Sequence, residues 1–196
     1  MDCTCLVNRK YRLKRDDIPE FLVEPDILFD APEGDCRRML AFSAARAAEK
    51  LFRSGREQGM LLYGISGYRS FERQEKLYRE RLKKASREYV ESHLAPPGAS
   101  EHQTGLALDV SCPGAGLELT EKFADTKEGR WLVANAPLFG FIIRYPRGKE
   151  EITGYAWEPW HIRYVTRSLA SYLSLTGLTL EEYHMLENPV DFSNLK

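Results

Sequence analysis

The sequence predicts an α+β fold, a small antiparallel sheet with flanking helices, and three observations carry that expectation. Two apolar stretches, residues 60–65 (MLLYGI) and 141–145 (FIIRY), are too short for helices and are punctuated by glycine. Longer segments around them repeat apolar residues at helical spacing. The strands do not alternate with helices in the regular order that a doubly wound parallel sheet requires.

Taken in order, residues 1–33 read as extended and turn-rich, with Pro19, Pro25 and Pro32 interrupting short apolar runs. Asp35 is a candidate cap for a helix over 36–58, in which Leu40, Ala44, Ala47, Ala48 and Leu51 share a face. Residues 60–65 form a strand that ends at Ser66-Gly67. Ser70 is placed as the N-cap of the next helix, expected over 71–92 with Leu77, Tyr78, Leu82 and Tyr89 as its apolar stripe. After the Pro96-Pro97-Gly98 loop, Leu106, Leu108 and Val110 alternate with Ala107, Asp109 and Ser111, the period of a strand. A third helix is expected over 121–138, stopped by Gly140. Strands over 141–145 and 161–165 follow, separated by a glycine- and proline-bearing stretch that holds Trp157-Glu158-Pro159-Trp160. Short helices over 167–175 and 180–186 close the chain.

The 196 residues, 43% hydrophobic, fit one domain spanning 1–196 and suffice for a core without disulfides. With 28 basic and 29 acidic side chains the net charge is −1, which offers nucleic acid no general attraction. The basic stretch 79–87 (RERLKKASR) reads as a solvated helix face. No window approaches a membrane span, so stable membrane insertion is not expected. Cys3, Cys5, Cys36 and Cys112 match no secreted disulfide framework, and a lone Cys3-x-Cys5 is a weak metal signal; free thiols are the expectation. The first residues lack the basic-then-apolar order of a signal peptide. If Met1 is the native start the protein is expected in the cytoplasm, and otherwise outside it.

Two segments carry chemistry: Ser100-Glu101-His102-Gln103-Thr104-Gly105-Leu106-Ala107-Leu108-Asp109 and Trp157-Glu158-Pro159-Trp160-His161. A catalytic zinc takes three protein ligands and keeps one position open. His102, Asp109 and His161 can supply those ligands, provided the chain curves, and Gly105 is the residue that permits the curve. Pro159 rules out a helical H-E-x-x-H arrangement, yet Glu158, near a ligand, is placed to act as the base. Singly, each residue has a plainer reading; Asp109, for example, could be satisfied by an arginine. His93 and His184 lie in polar helical runs and read as structural or surface groups. Cys112, an odd number of residues from Asp109, should face away from it.

The pattern S-x-H-x-x-G-x-A-x-D followed by E-x-W-H resembles the zinc D-alanyl-D-alanine peptidases of the lysostaphin/hedgehog-related superfamily. More closely, it resembles the VanY-type carboxypeptidases and VanXY-type bifunctional dipeptidase/carboxypeptidases of vancomycin resistance. Supporting segments are 6–8 (LVN), 66–74 (SGYRSFERQ), 139–146 (FGFIIRYP) and 158–165 (EPWHIRYV), so the resemblance runs over about 6–185. It implies a hedgehog/D,D-peptidase-like fold, one zinc held by His102, Asp109 and His161, and Glu158 as catalytic base. It further implies that Arg69 steadies the scissile carbonyl and that Ser100 and Gln74 hold the substrate's C-terminal end. Simpler alternatives are a turn-closing salt bridge for Arg69, a turn hydroxyl for Ser100 and a surface position for Gln74. Tyr68, Trp157 and Trp160 are candidates for the cleft wall or the core. The implied substrate is a peptidoglycan precursor peptide or free D-Ala-D-Ala, hydrolysed at its last bond. An L,D-carboxypeptidase acting on tetrapeptide stems, a lysin-type endopeptidase and an inactive zinc-binding module are the alternatives. Retention of Glu158 weighs against the last, because a structural zinc needs no base.

Overall fold

A computed structural model of the chain describes residues 2–187, so Met1, on which the expected location rests, lies outside the described residues. Four strands form an antiparallel sheet in the order β3-β4-β6-β5: β3 is Tyr63–Ser66, β4 Ala107–Ser111, β5 Phe141–Tyr145 and β6 Glu158–Tyr164. A separate two-stranded ribbon pairs β1 (Leu22–Val23) with β2 (Leu40–Ala41). Helices α1 (Phe42–Glu57) and α4 (Lys127–Asn135) flank the sheet, joined by α2 (Phe71–Leu82), α3 (Arg87–His93), the short α5 (Glu150–Thr153), α6 (Arg167–Thr176) and α7 (Leu180–Glu187). This is the expected mixture of helices and a small antiparallel sheet.

The alternation in β4 sets the geometry. Leu106, Leu108 and Val110 join Ala44, Ala48 and Leu51 of α1 in the main core, with Phe123, Leu132, Phe141 and Ile162. Asp109 is on the opposite face, and Cys112 is buried in the core, as its spacing from Asp109 predicts. A second cluster, Ile142, Val165, Leu169, Ala170, Leu173 and Leu180, anchors α6 and α7 behind β5. No helix among the described residues is long and apolar enough to cross a membrane.

Three expected helices are interrupted. Over 36–58, Asp35 caps only a 3-10 turn, Cys36–Arg38, and α1 begins at Phe42. The intervening backbone is needed elsewhere: Leu40 and Ala41 pair with β1, while the carbonyls of Arg37 and Met39 accept from Gly67 and Tyr68. Over 71–92, Ser70 does cap α2, but the helix stops at Leu82 and Ser86 caps a new one. Its expected apolar stripe is not core: Leu77 and Tyr89 are exposed, and the buried residues of the two helices are Gln74 and Val90. Over 121–138, Thr126 caps α4 after a 3-10 turn, Glu121–Asp125, and Pro137 sits in a second 3-10 turn, Ala136–Phe139. Proline lacks the N–H that would continue an α-helix. The last strand departs in the other direction, starting at Glu158 rather than 161.

Candidate active site

His102 sits in a 3-10 turn, Glu101–Thr104, directly before β4. Gly105 ends that turn in the left-handed region, at φ +67°, and a Cβ there would come within 2.8 Å of the Ala41 backbone nitrogen. Only glycine meets both demands, and the curvature aims His102 back along the strand. The Nδ1 of His102 lies 2.7 Å from the Gly67 carbonyl oxygen, so it carries the proton and donates; Nε2 is left facing Asp109 Oδ2 at 3.2 Å.

Asp109 and His161 are direct cross-strand partners in the β4–β6 ladder, which brings their side chains together on one face. His161 Nδ1 is 3.0 Å from Asp109 Oδ1, and the two imidazoles meet edge to face at 5.0 Å. One ligand atom from each of His102, Asp109 and His161 lies within 4.8 Å of the others, and all three residues are buried. Two imidazoles and a carboxylate, with each imidazole's second nitrogen turned outward to an oxygen, suit a divalent metal with an open position. The residues fit such an ion.

Strict alternation would set Glu158 and His161 on opposite faces. The β5–β6 register slips between Ile143, paired with Ile162, and Tyr145, paired with Glu158, so that Pro159, Trp160 and His161 lie within the slip, and this irregularity re-aims Glu158. Its Oε2 comes to 3.7 Å from His161 Nδ1. Burial pushes the Glu158 carboxyl up to about 7, against the opposing pull of His161, where a carboxyl can both take and return a proton. Asp109 behaves oppositely. Burial alone would raise it, but its contacts with His102 and His161 outweigh that and hold it well below the usual carboxylate range.

Arg69 is held on three sides: Nη1 donates to Gln74 Oε1 (2.9 Å), Nη2 donates to Ser66 Oγ (3.2 Å), and Nη2 stands 3.8 Å from Asp109 Oδ2. Gln74 is neither a surface residue nor placed against the cleft. Its amide is buried, and its Nε2 donates to the Ala95 carbonyl at 2.6 Å. A buried amide must satisfy both ends, and this one does so by fixing the arginine. Ser100 is buried, lines the cleft and makes no capping bond to the turn that follows.

These groups open onto a cleft of about 370 Å³, walled by Tyr145, Tyr155 and Trp160 near the histidines and by Leu77 and Tyr89 farther out. Tyr68 and Trp157 are not part of that wall, and His93, stacked on Tyr89 at 4.3 Å, is. His184 bonds the Thr4 carbonyl, away from the cleft.

Glu101 is the residue that sequence reasoning passed over. It is fully buried, and its Oε1 accepts from Arg144 Nε and Arg163 Nη1, both at 2.7 Å. The available signal was two arginines inside apolar strands, which require a carboxylate partner.

Residues 37–167 match the family model described as VanY: D-alanyl-D-alanine carboxypeptidase. YodJ of Bacillus subtilis (strain 168) is 42% identical over 178 residues, 91% of this chain and 65% of YodJ, so the chain spans just under two thirds of that relative. VanXYC of Enterococcus gallinarum, a bifunctional D-Ala-D-Ala dipeptidase and D-Ala-D-Ala carboxypeptidase, is 35% identical over 192 residues, 94% of each chain. Among solved structures, the LdcB LD-carboxypeptidase superposes with a TM-score of 0.87 at 42% identity, covering 91% of this chain and 84% of LdcB. A mutant of the D,D-pentapeptidase VanY from a VanB-type resistance cassette, in complex with Zn(II), superposes with a TM-score of 0.75 at 32% identity, covering 93% and 98%.

Proposed function

We propose that this chain, which belongs to the VanY family of D-alanyl-D-alanine carboxypeptidases, is a zinc peptidase that releases the terminal D-alanine of peptidoglycan precursor peptides. The observation that carries this reading is the convergence of His102, Asp109 and His161 beside a carboxyl, Glu158, poised near neutrality. Bound by those three residues, zinc would bring the pKa of water toward neutrality and polarise a peptide carbonyl. Glu158 takes a proton from the attacking water and returns it to the departing D-alanine nitrogen. Arg69, immobilised by Gln74 and Ser66, donates to the carbonyl oxygen as negative charge develops there. Ser100, whose hydroxyl is not spent on the turn, donates to the substrate's free carboxylate. Gln74 acts through Arg69 rather than on the peptide.

The D,D reading draws on the family and on the near-complete coverage of VanXYC. A second reading, cleavage of tetrapeptide stems as an L,D-carboxypeptidase, draws on the higher identity to LdcB. Incubation with UDP-MurNAc-pentapeptide, the corresponding tetrapeptide and free D-Ala-D-Ala, with and without chelator, separates them. Chelator-sensitive D-alanine release from the pentapeptide supports the first reading and release from the tetrapeptide alone supports the second. No release from any of the three would sink both.

A further inference from the structure

We infer that Glu101 is a positioning residue for the metal site, holding His161 in the tautomer that presents Nδ1 to the metal. The inference rests on the metallopeptidase reading above. His161 looks at a different carboxylate from each ring nitrogen: Nδ1 is 3.0 Å from Asp109 Oδ1, and Nε2 is 3.6 Å from Glu101 Oε2. Nε2 and Oε2 are both buried, and neither has a hydrogen-bond partner among the described residues. An orphaned buried donor and an orphaned buried acceptor facing each other are costly unless they serve one another.

Glu101 is unable to turn away. Its Oε1 is committed to Arg144 and Arg163, which leaves Oε2 as the free acceptor. Arg144 is in turn gripped by Glu181 of α7 at 2.8 and 2.6 Å, and Arg163 donates to the Cys3 and Cys5 carbonyls at 3.1 and 2.8 Å. Two cations therefore face two carboxylates, Glu101 and Glu181, in a closed cluster. A proton on Nδ1 of His161 would abolish it as a ligand; a carboxylate at Nε2 keeps the proton there. One turn thus supplies a ligand, His102, and the orienting group for another, while Gly67 does the same service for His102.

A purely structural role for Glu101, neutralising two arginines, predicts no effect on His161 itself. The test is imidazole ¹⁵N NMR of the zinc-loaded full chain, whose four histidines are assigned against His93→Gln and His184→Gln. The expected spectrum shows His161 protonated at Nε2 and ligating through Nδ1; ligation through Nε2 overturns the inference. Glu101→Asp, which withdraws the carboxylate, should weaken zinc binding by roughly 10–100-fold in chelator competition and shift the visible spectrum of the cobalt-substituted protein. Glu182→Gln breaks the Lys149 ion pair on the same helix, α7, without touching the cluster or His161, and should alter neither. A folded Glu101→Asp protein with unchanged zinc affinity and cobalt spectrum overturns the positioning role. Should Glu101→Asp not fold, the wild-type NMR result still decides. Wild-type protein that binds no zinc overturns the metallopeptidase reading, and this inference with it.

Discussion

His161 stands between two buried polar clusters built on opposite terms. On its Nδ1 side, Asp109, Glu158, His102 and Arg69 face a cleft, and their demands are only partly met: the carboxyl of Glu158 is pushed up to about 7. On its Nε2 side, Glu101, Arg144, Arg163 and Glu181 are almost wholly sealed from solvent, with charges matched two against two. In the proposed reaction the first cluster acts because it is left incomplete. The second is rigid because it is closed. Both hang on β6, where His161 and Arg163 are two residues apart, so the rigid set can hold the reactive one in place.

Glu158→Gln should give the largest effect, because it removes the proton carrier and leaves the three proposed ligands untouched. Turnover is expected to fall on the order of 10²–10⁴-fold, with one zinc per chain still found by metal analysis. Near-normal turnover would remove Glu158 from the mechanism. The corresponding blow to the closed cluster is Arg144→Met, which strands Glu101 and Glu181 with one fewer cation. Breaking such a buried set costs about 3–5 kcal/mol, or roughly 6–20 °C in Tm for a domain of this size. A melting curve that hardly moves would mean that the cluster is not what secures α7 to the sheet.

Arg69→Lys probes the boundary between the two kinds of environment, since Arg69 is rigidly held yet faces the cleft. Lysine keeps the charge but cannot span Gln74, Ser66 and the carbonyl oxygen with one planar fork. A fall of about 10²-fold in kcat, exceeding any rise in KM, is expected of a group that acts in the transition state. Damage confined to KM would make Arg69 a ground-state binding residue.

How much of this could be read from the sequence depends on how far away the deciding contact lies. The face of β4 that carries Asp109 is legible because alternation is local, and Gly105 is legible because a turn before a strand needs a left-handed residue. Helical spacing starts α1 too early because nothing near Leu40 announces that it pairs with Val23. Ser86, Thr126 and Pro137 were local signals for the other helix breaks, outweighed in the reading by apolar spacing. Glu101 looked like an ordinary acid beside a histidine. Its burial is set by Arg144 and Arg163, 43 and 62 residues further on. Gln74 shows the same limit: its helix face is buried by the loop at Ala95, which no helical periodicity foretells.

Ser100→Ala should give the smallest effect and sharpens the contrast most finely, because Ser100 is as buried as the ligands yet its hydroxyl does not cap its own turn. In the closed cluster such a group would be a defect; at the cleft it is free for the proposed role as a donor to substrate. If it meets the peptide's free carboxylate, the bond forms on binding and persists unchanged through the reaction. Such an interaction lowers KM without raising kcat. Its loss, one hydrogen bond to a charged group at about 1.5 kcal/mol, should raise KM roughly tenfold and leave kcat close to wild type. A substrate whose terminal carboxylate is replaced by an amide supplies the control, since it should be handled about equally by wild type and Ser100→Ala. A fall in kcat with both substrates would instead place the hydroxyl at the reacting bond, beside Arg69, and move carboxylate recognition to another part of the cleft.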